Sequence, residues 1–189
     1  MTRETTLFHT GVYWNNAIHW IDKVGFIVYF DLDEEITYEI NAPSARPDHL
    51  DYLNYLWCMF ESRDQLLLVK LYCPSITKFK IYELKRDYSN WLVKYHVDFE
   101  EFDGLLFPKS VDNFRFDYKI EFDVLSLVLG SGDDEYESFL VVDIFGKITR
   151  LNLESKTYHV LRQISNRHIY PVYYQRPNVY QFAASLYNL

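Results

Sequence analysis

The feature that most narrows what this chain can fold into is a pattern of short strands that returns three times. The first group reads as strands near Thr10–Trp14, Ala17–Ile21, Phe26–Leu32 and Ile36–Ile40. The second reads as Tyr55–Glu61, Gln65–Tyr72, Lys78–Leu84 and Trp91–Phe99, and the third as Lys119–Leu129, Glu137–Phe145, Lys147–Leu153 and Thr157–Ile164. Each run is rich in Val, Ile, Leu, Tyr, Phe and Trp and is bounded by Asn, Asp, Gly, Ser or Pro, the pattern of strands and their turns. The third strand of each group closes on a related triplet: Phe30-Asp31-Leu32, Tyr82-Glu83-Leu84 and Leu151-Asn152-Leu153. Asn15-Asn16, Ser62-Arg63-Asp64, Asp87 to Asn90 and Gly146 supply the turn chemistry. A four-stranded meander cannot bury both faces alone, whereas stacked meanders bury each face against a neighbour. An all-β partial β-propeller of about three four-stranded antiparallel blades is therefore expected, with blades near 10–40, 55–99 and 119–164 in one domain over 1–189. A β-sandwich or barrel built from the same strands is the alternative. Three blades fall short of the roughly four needed to close a ring, so an exposed face or edge is expected. The aromatic tail 168–189, with Pro171 and Pro177 restricting it to edge positions, reads as a closing segment.

Composition decides between function classes. Of 189 residues, 27 are acidic and 19 basic, a net charge of −8. The basic residues are scattered among acids, so no stripe exists to release counterions from nucleic acid. No segment approaches the roughly 18 apolar residues of a membrane helix, and Met1-Thr2-Arg3-Glu4 does not open a signal peptide. Cys58 and Cys73 both lie in or beside apolar segments and read as buried thiols, which fits a cytoplasmic or nuclear location. An aromatic content of 19% belongs to a core-forming, β-prone chain.

No constellation carries catalysis. Asp31, Asp33, Glu34 and Glu35 lack the spaced ligands and turn glycine of a calcium loop and read as a solvated turn. His9, His19, His49, His96, His159 and His168 follow no zinc-ligand spacing, and His19 reads as a packed strand residue. No serine stands in a nucleophile elbow, and neither glycine pair forms a phosphate cradle. A non-enzymatic chain without cofactor or metal is expected. The stretch Arg86-Asp87-Tyr88 with Trp91 invites a binding reading, but Asp87 and Ser89 suit a turn and Trp91 suits the gap between blades. Partner contacts are expected on the long connections Ser44–Tyr52, Glu100–Tyr118 and Gly130–Glu137, where repeats tolerate insertion. The candidate contact residues are Asp48, His49, Phe102, Leu105, Leu106, Phe107, Asp133 and Asp134. Phe102, Leu105, Leu106 and Phe107 read either as an exposed apolar anchor or as cover for the core.

Several ordered stretches resemble the plant F-box-associated domain, the propeller-like, kelch-like region that follows the F-box in plant F-box proteins. They are Gly11-Val12-Tyr13-Trp14-Asn15-Asn16-Ala17-Ile18-His19-Trp20, Tyr29-Phe30-Asp31-Leu32-Asp33-Glu34-Glu35, Glu61-Ser62-Arg63-Asp64-Gln65-Leu66, the run from Ile81 to Tyr95, Ser138-Phe139-Leu140-Val141-Val142 with Gly146-Lys147, and the ending from Tyr180 to Leu186. The resemblance implies the target-recognition half of a Skp1–cullin–F-box ubiquitin ligase, whose partner is an unknown target protein. No F-box-like helical segment precedes Gly11, so the chain by itself is not expected to engage Skp1 unless an F-box lies upstream. The alternative is a truncated remnant or decoy binder with no ubiquitin role.

Overall fold

The computed structural model describes residues 11–22, 25–43, 55–72, 77–103, 105, 122–131, 137–144 and 146–163. They form twelve strands in three four-stranded antiparallel sheets. The first sheet holds β1 (Val12–Trp14), β2 (Ala17–Ile21), β3 (Ile27–Asp31) and β4 (Thr37–Ile40) in sequential order. The second holds β5 (Tyr55–Ser62), β6 (Gln65–Tyr72), β7 (Lys78–Leu84) and β8 (Trp91–Asp98), and the third β9 (Phe122–Val128), β10 (Phe139–Ile144), β11 (Lys147–Asn152) and β12 (Tyr158–Gln163). A 3-10 helix at Phe99–Glu101 is the only helical segment among the described residues. Among the described residues the architecture is all-β, without a closed barrel, and consistent with a partial propeller-like stack.

Local chemistry places the turns. Asn15 and Asn16 both adopt left-handed backbone (φ 49° and 57°), as do Arg63 and Asp64 (φ 53° and 57°). Two consecutive left-handed residues match the right-handed twist of the strands they join, and Asn and Asp tolerate that region best. Trp14 accordingly pairs with Ala17, and Ser62 with Gln65. Between β3 and β4 the Asp31 carboxylate accepts the N–H groups of Asp33 and Glu34, both at 2.9 Å, while Glu35 is left-handed (φ 56°). These acids shape a hairpin turn, and Glu34 also receives the Tyr38 hydroxyl. Phe26, expected at the start of β3, lies instead in the preceding turn, where its N–H donates to the Asp22 carboxylate at 2.8 Å.

The second sheet is the middle layer, buried on both faces. Its strand β6 is apolar without interruption from Leu66 to Val69, and alternate residues face opposite ways. Leu66 and Leu68 join Trp57, Met59, Tyr82 and Leu84 against Trp14, Ile21, Ile27, Ile40 and Ala42 of the first sheet and its exit. Leu67, Val69 and Leu71 join Cys58, Phe79, Ile81 and Val97 against Val124, Leu127, Leu140, Val142, Ile144 and Leu151 of the third. Gly25 is fixed by this packing: it has φ +86°, and a Cβ there would lie 2.6 Å from the Trp57 ring.

Candidate protein-contact surface

The two seams between sheets set which side chains stay available for contact. In the first, the Trp14 indole N–H donates to the Asp64 carbonyl at 2.8 Å. The β7–β8 turn reaches back over the first sheet: the Arg86 guanidinium lies 2.7 Å from the Asp64 carboxylate, its Nε donates to Asn15 Oδ1 at 3.2 Å, and Asn15 Nδ2 donates to the Arg86 carbonyl at 3.2 Å. Tyr88, left-handed at φ 59°, stacks on Tyr29 with ring centroids 4.5 Å apart and on His19 at 5.8 Å. Tyr29 stacks in turn on Tyr38, and Trp14 meets both His19 and Tyr88 edge-on or tilted at 5.6 Å. The Trp91 indole crosses the same gap to the Asn41 carbonyl at 2.9 Å. Arg86, Tyr88 and Trp91 are therefore structural ties between sheets, with Asp87 shaping the turn by accepting the Ser89 N–H at 3.0 Å. Hydrogen bonds from Ser89, first from its hydroxyl and then from this N–H, hold the Asp87 carboxyl below the usual carboxylate range.

His19 lies at the centre of this cluster and is fully buried. Its Nδ1 is 3.3 Å from the Val12 carbonyl and its Nε2 is 3.1 Å from the Tyr88 hydroxyl. A neutral imidazole has one donor and one acceptor nitrogen, and a carbonyl can only accept. Nδ1–H therefore donates to Val12, and Nε2 accepts from Tyr88. Burial pushes the His19 pKa down to about 4 against the opposing pull of the Val12 and Ala17 backbone. Burial likewise raises the Tyr29 and Tyr88 hydroxyls, with Asp31 adding to both and Glu34 to Tyr29.

The second seam is tied by small polar groups. Ser62 Oγ accepts the Leu129 N–H at 2.9 Å, and Arg63 Nε donates to the Leu129 carbonyl at 2.9 Å. The Tyr95 hydroxyl lies 2.8 Å from Ser138 Oγ and donates to Glu154 at 3.0 Å, and Lys156 pairs with Glu101 at 3.0 Å.

The candidate contact residues separate on this frame. Phe102 is only 2% exposed: Asp98 caps the 3-10 helix by accepting the Glu100 N–H, and the turn it starts drops Phe99 and Phe102 together onto the second core, 6.3 Å apart. Phe102 is thus not an exposed anchor, because three residues along such a turn return to the same face. Leu105 is half-buried against the same core. Asp48, His49, Leu106, Phe107, Asp133 and Asp134 lie outside the described residues. An apolar surface missed at the sequence level lies, among the described residues, on the outward side of the first sheet, where Tyr13 is 61% exposed beside the half-buried Ile18, Trp20, Val28 and Phe30. Its signal was present in β2, Ala-Ile-His-Trp-Ile, which is apolar in both phases of the alternation.

Among the described residues no helix is long and apolar enough to cross a membrane. No family model matches the chain, and no solved structure matches it. The chain is similar to an F-box protein of Arabidopsis thaliana, 24% identical over 198 aligned residues that cover 96% of this chain and 44% of that protein. It therefore spans less than half the length of the curated relative it matches. The likeness to an F-box protein thus runs over nearly the whole chain, distant in sequence, and the described residues within it form three four-stranded sheets.

Proposed function

We propose that the chain is a non-enzymatic protein-recognition module, the target-binding part of an F-box receptor. The observation that carries this reading is the similarity to an F-box protein across 96% of the chain. Sheets tied to one another across their seams are the kind of scaffold on which recognition loops are usually carried. The contacts are assigned to the long connections, with Asp48 and His49 in the first, Leu106 and Phe107 in the second, and Asp133 and Asp134 in the third.

A tagged chain exposed to an extract of its source organism should enrich a defined target. Replacing both Leu106 and Phe107 by Asp should weaken capture at least about 30-fold, the scale of an apolar hot spot. Replacing Asp133 and Asp134 by Ala should mainly change the association rate and its salt dependence. Capture that persists undiminished in the combined loop variants, with the fold intact by circular dichroism, would remove the loop assignment. The ubiquitin-ligase part rests on an F-box outside these residues: the 189-residue chain should bind target and not Skp1, and Skp1 binding should appear only when an F-box is fused upstream.

A further inference from the structure

The first seam holds a buried titratable group at the point where two sheets meet. His19 comes from β2, its Nδ1–H is fixed on the Val12 carbonyl of β1, and its Nε2 accepts from Tyr88, which the second sheet delivers through the β7–β8 turn. We propose that this seam is an acid-released joint, in which protonation of His19 undocks the first sheet from the second while the second and third sheets stay stacked. The mechanism is local. A proton on Nε2 makes that nitrogen a donor, so the Tyr88 hydroxyl must turn its own hydrogen away and accept, and a charged ring is then left wholly out of water between the two sheets. Tyr88 is a bulky residue held in left-handed backbone at φ 59°, a conformation that persists only while surrounding contacts enforce it. Opening the seam returns that charge to water, and it also frees the turn that carries Arg86 onto Asn15 and Asp64.

Among the described residues no carboxylate bonds to the His19 ring, and the aromatic faces around it offset only part of the cost of burying a charge. Tyr29 of β3 and Tyr88 of the turn stack on the ring, and Trp14 of β1 lies against it. Tyr38 of β4 lies beyond Tyr29, and both phenols nearest the ring are held neutral, their hydroxyls pushed above the ordinary range. Asp31 and Glu34 stand by the outer tyrosines, where Glu34 receives the Tyr38 hydroxyl, and Arg86 and Asp64 pair with each other at the rim. The docked ring has its pKa lowered to about 4, against 6.5 for a solvated histidine. The sign follows: docking is fully supported above pH 6.5 and loses support as pH falls from 6.5 through 4. Undocking would uncover Trp57, Met59, Leu66, Leu68, Tyr82 and Leu84, the apolar face that the first sheet now covers.

The test is amide hydrogen exchange on the full wild-type chain at pH 7 and pH 4.5, with the His19 ring titrated by NMR in the same samples. The first sheet should lose protection once undocked, since four strands without a packed face are not stable alone. Protection factors in β2 should fall about 60-fold between the two pH values, while those in β10 stay unchanged. His19→Gln should abolish most of the β2 fall; should that variant fail to fold, the wild-type titration and exchange decide the matter alone. Equal loss in β2 and β10, retained β2 protection at pH 4.5, or a His19 ring that titrates near 6.5 would each overturn the proposal.

Discussion

At Asn15 and Asn16 the backbone sits in the left-handed region, where a β-carbon crowds the following carbonyl unless the side chain is short and polar. Asn16 is exposed, so Asn16→Val changes little besides that backbone term. It should cost about 1–2 kcal/mol, read from a urea titration. Ser62→Ala acts differently, because it removes the acceptor of a buried N–H: Leu129 would keep its amide out of water with no partner. A loss of about 1–3 kcal/mol is expected, larger than for Ser155→Ala on the exposed β11–β12 turn. The Asn pair was legible from sequence because left-handed preference is a property of the residue itself. Tyr88 was not, since nothing local recommends a tyrosine at φ 59°; the stack on Tyr29 and His19 in another sheet selects it.

At the scale of the element, β6 shows how one strand serves two cores. Neighbours Leu67 and Leu68 are both fully buried, yet they point into different seams. Leu67→Ala and Leu68→Ala should each cost about 2–5 kcal/mol by leaving a cavity. They should differ in where amide protection is lost, Leu67→Ala weakening β10 first and Leu68→Ala weakening β2 first; the same map for both would mean the seams do not act separately. The outermost strands carry a second device. β8 and β12 each hold one residue too many for their partner, Lys94 between the pairs Ile81–Tyr95 and Tyr82–Val93, and Leu161 between Ile148–Arg162 and Thr149–Val160. Such bulges bend an edge away from regular pairing and discourage another chain from adding to it. Strand positions were readable in advance, since alternation and turn residues are local signals, whereas the bulges were not, because they exist only relative to a partner strand.

At the scale of the molecule, the described residues form two cores on either side of the middle sheet, and their buried members are drawn from the first and second sheets or from the second and third. Stability in such a stack is set by nearest-neighbour interfaces. Trp14, Trp57 and Trp91 all lie at the first seam, and the fourth tryptophan, Trp20, is in β2. Tryptophan fluorescence therefore reports on one end of the stack and far-ultraviolet circular dichroism on all three sheets. In urea the fluorescence midpoint should precede the circular dichroism midpoint; coincident transitions would make the stack a single cooperative unit. By itself the sequence determined the twelve described strands, their grouping in fours and such turns as Asn15-Asn16 and Arg63-Asp64, because hydrophobic period and turn preference act over a few residues. Only the tertiary structure decided that Phe102 is core, that the second sheet is covered on both faces, and that His19, Tyr29 and Tyr88 share one stack. Those facts depend on which apolar face meets which, and an apolar residue carries the same pattern whichever neighbour covers it.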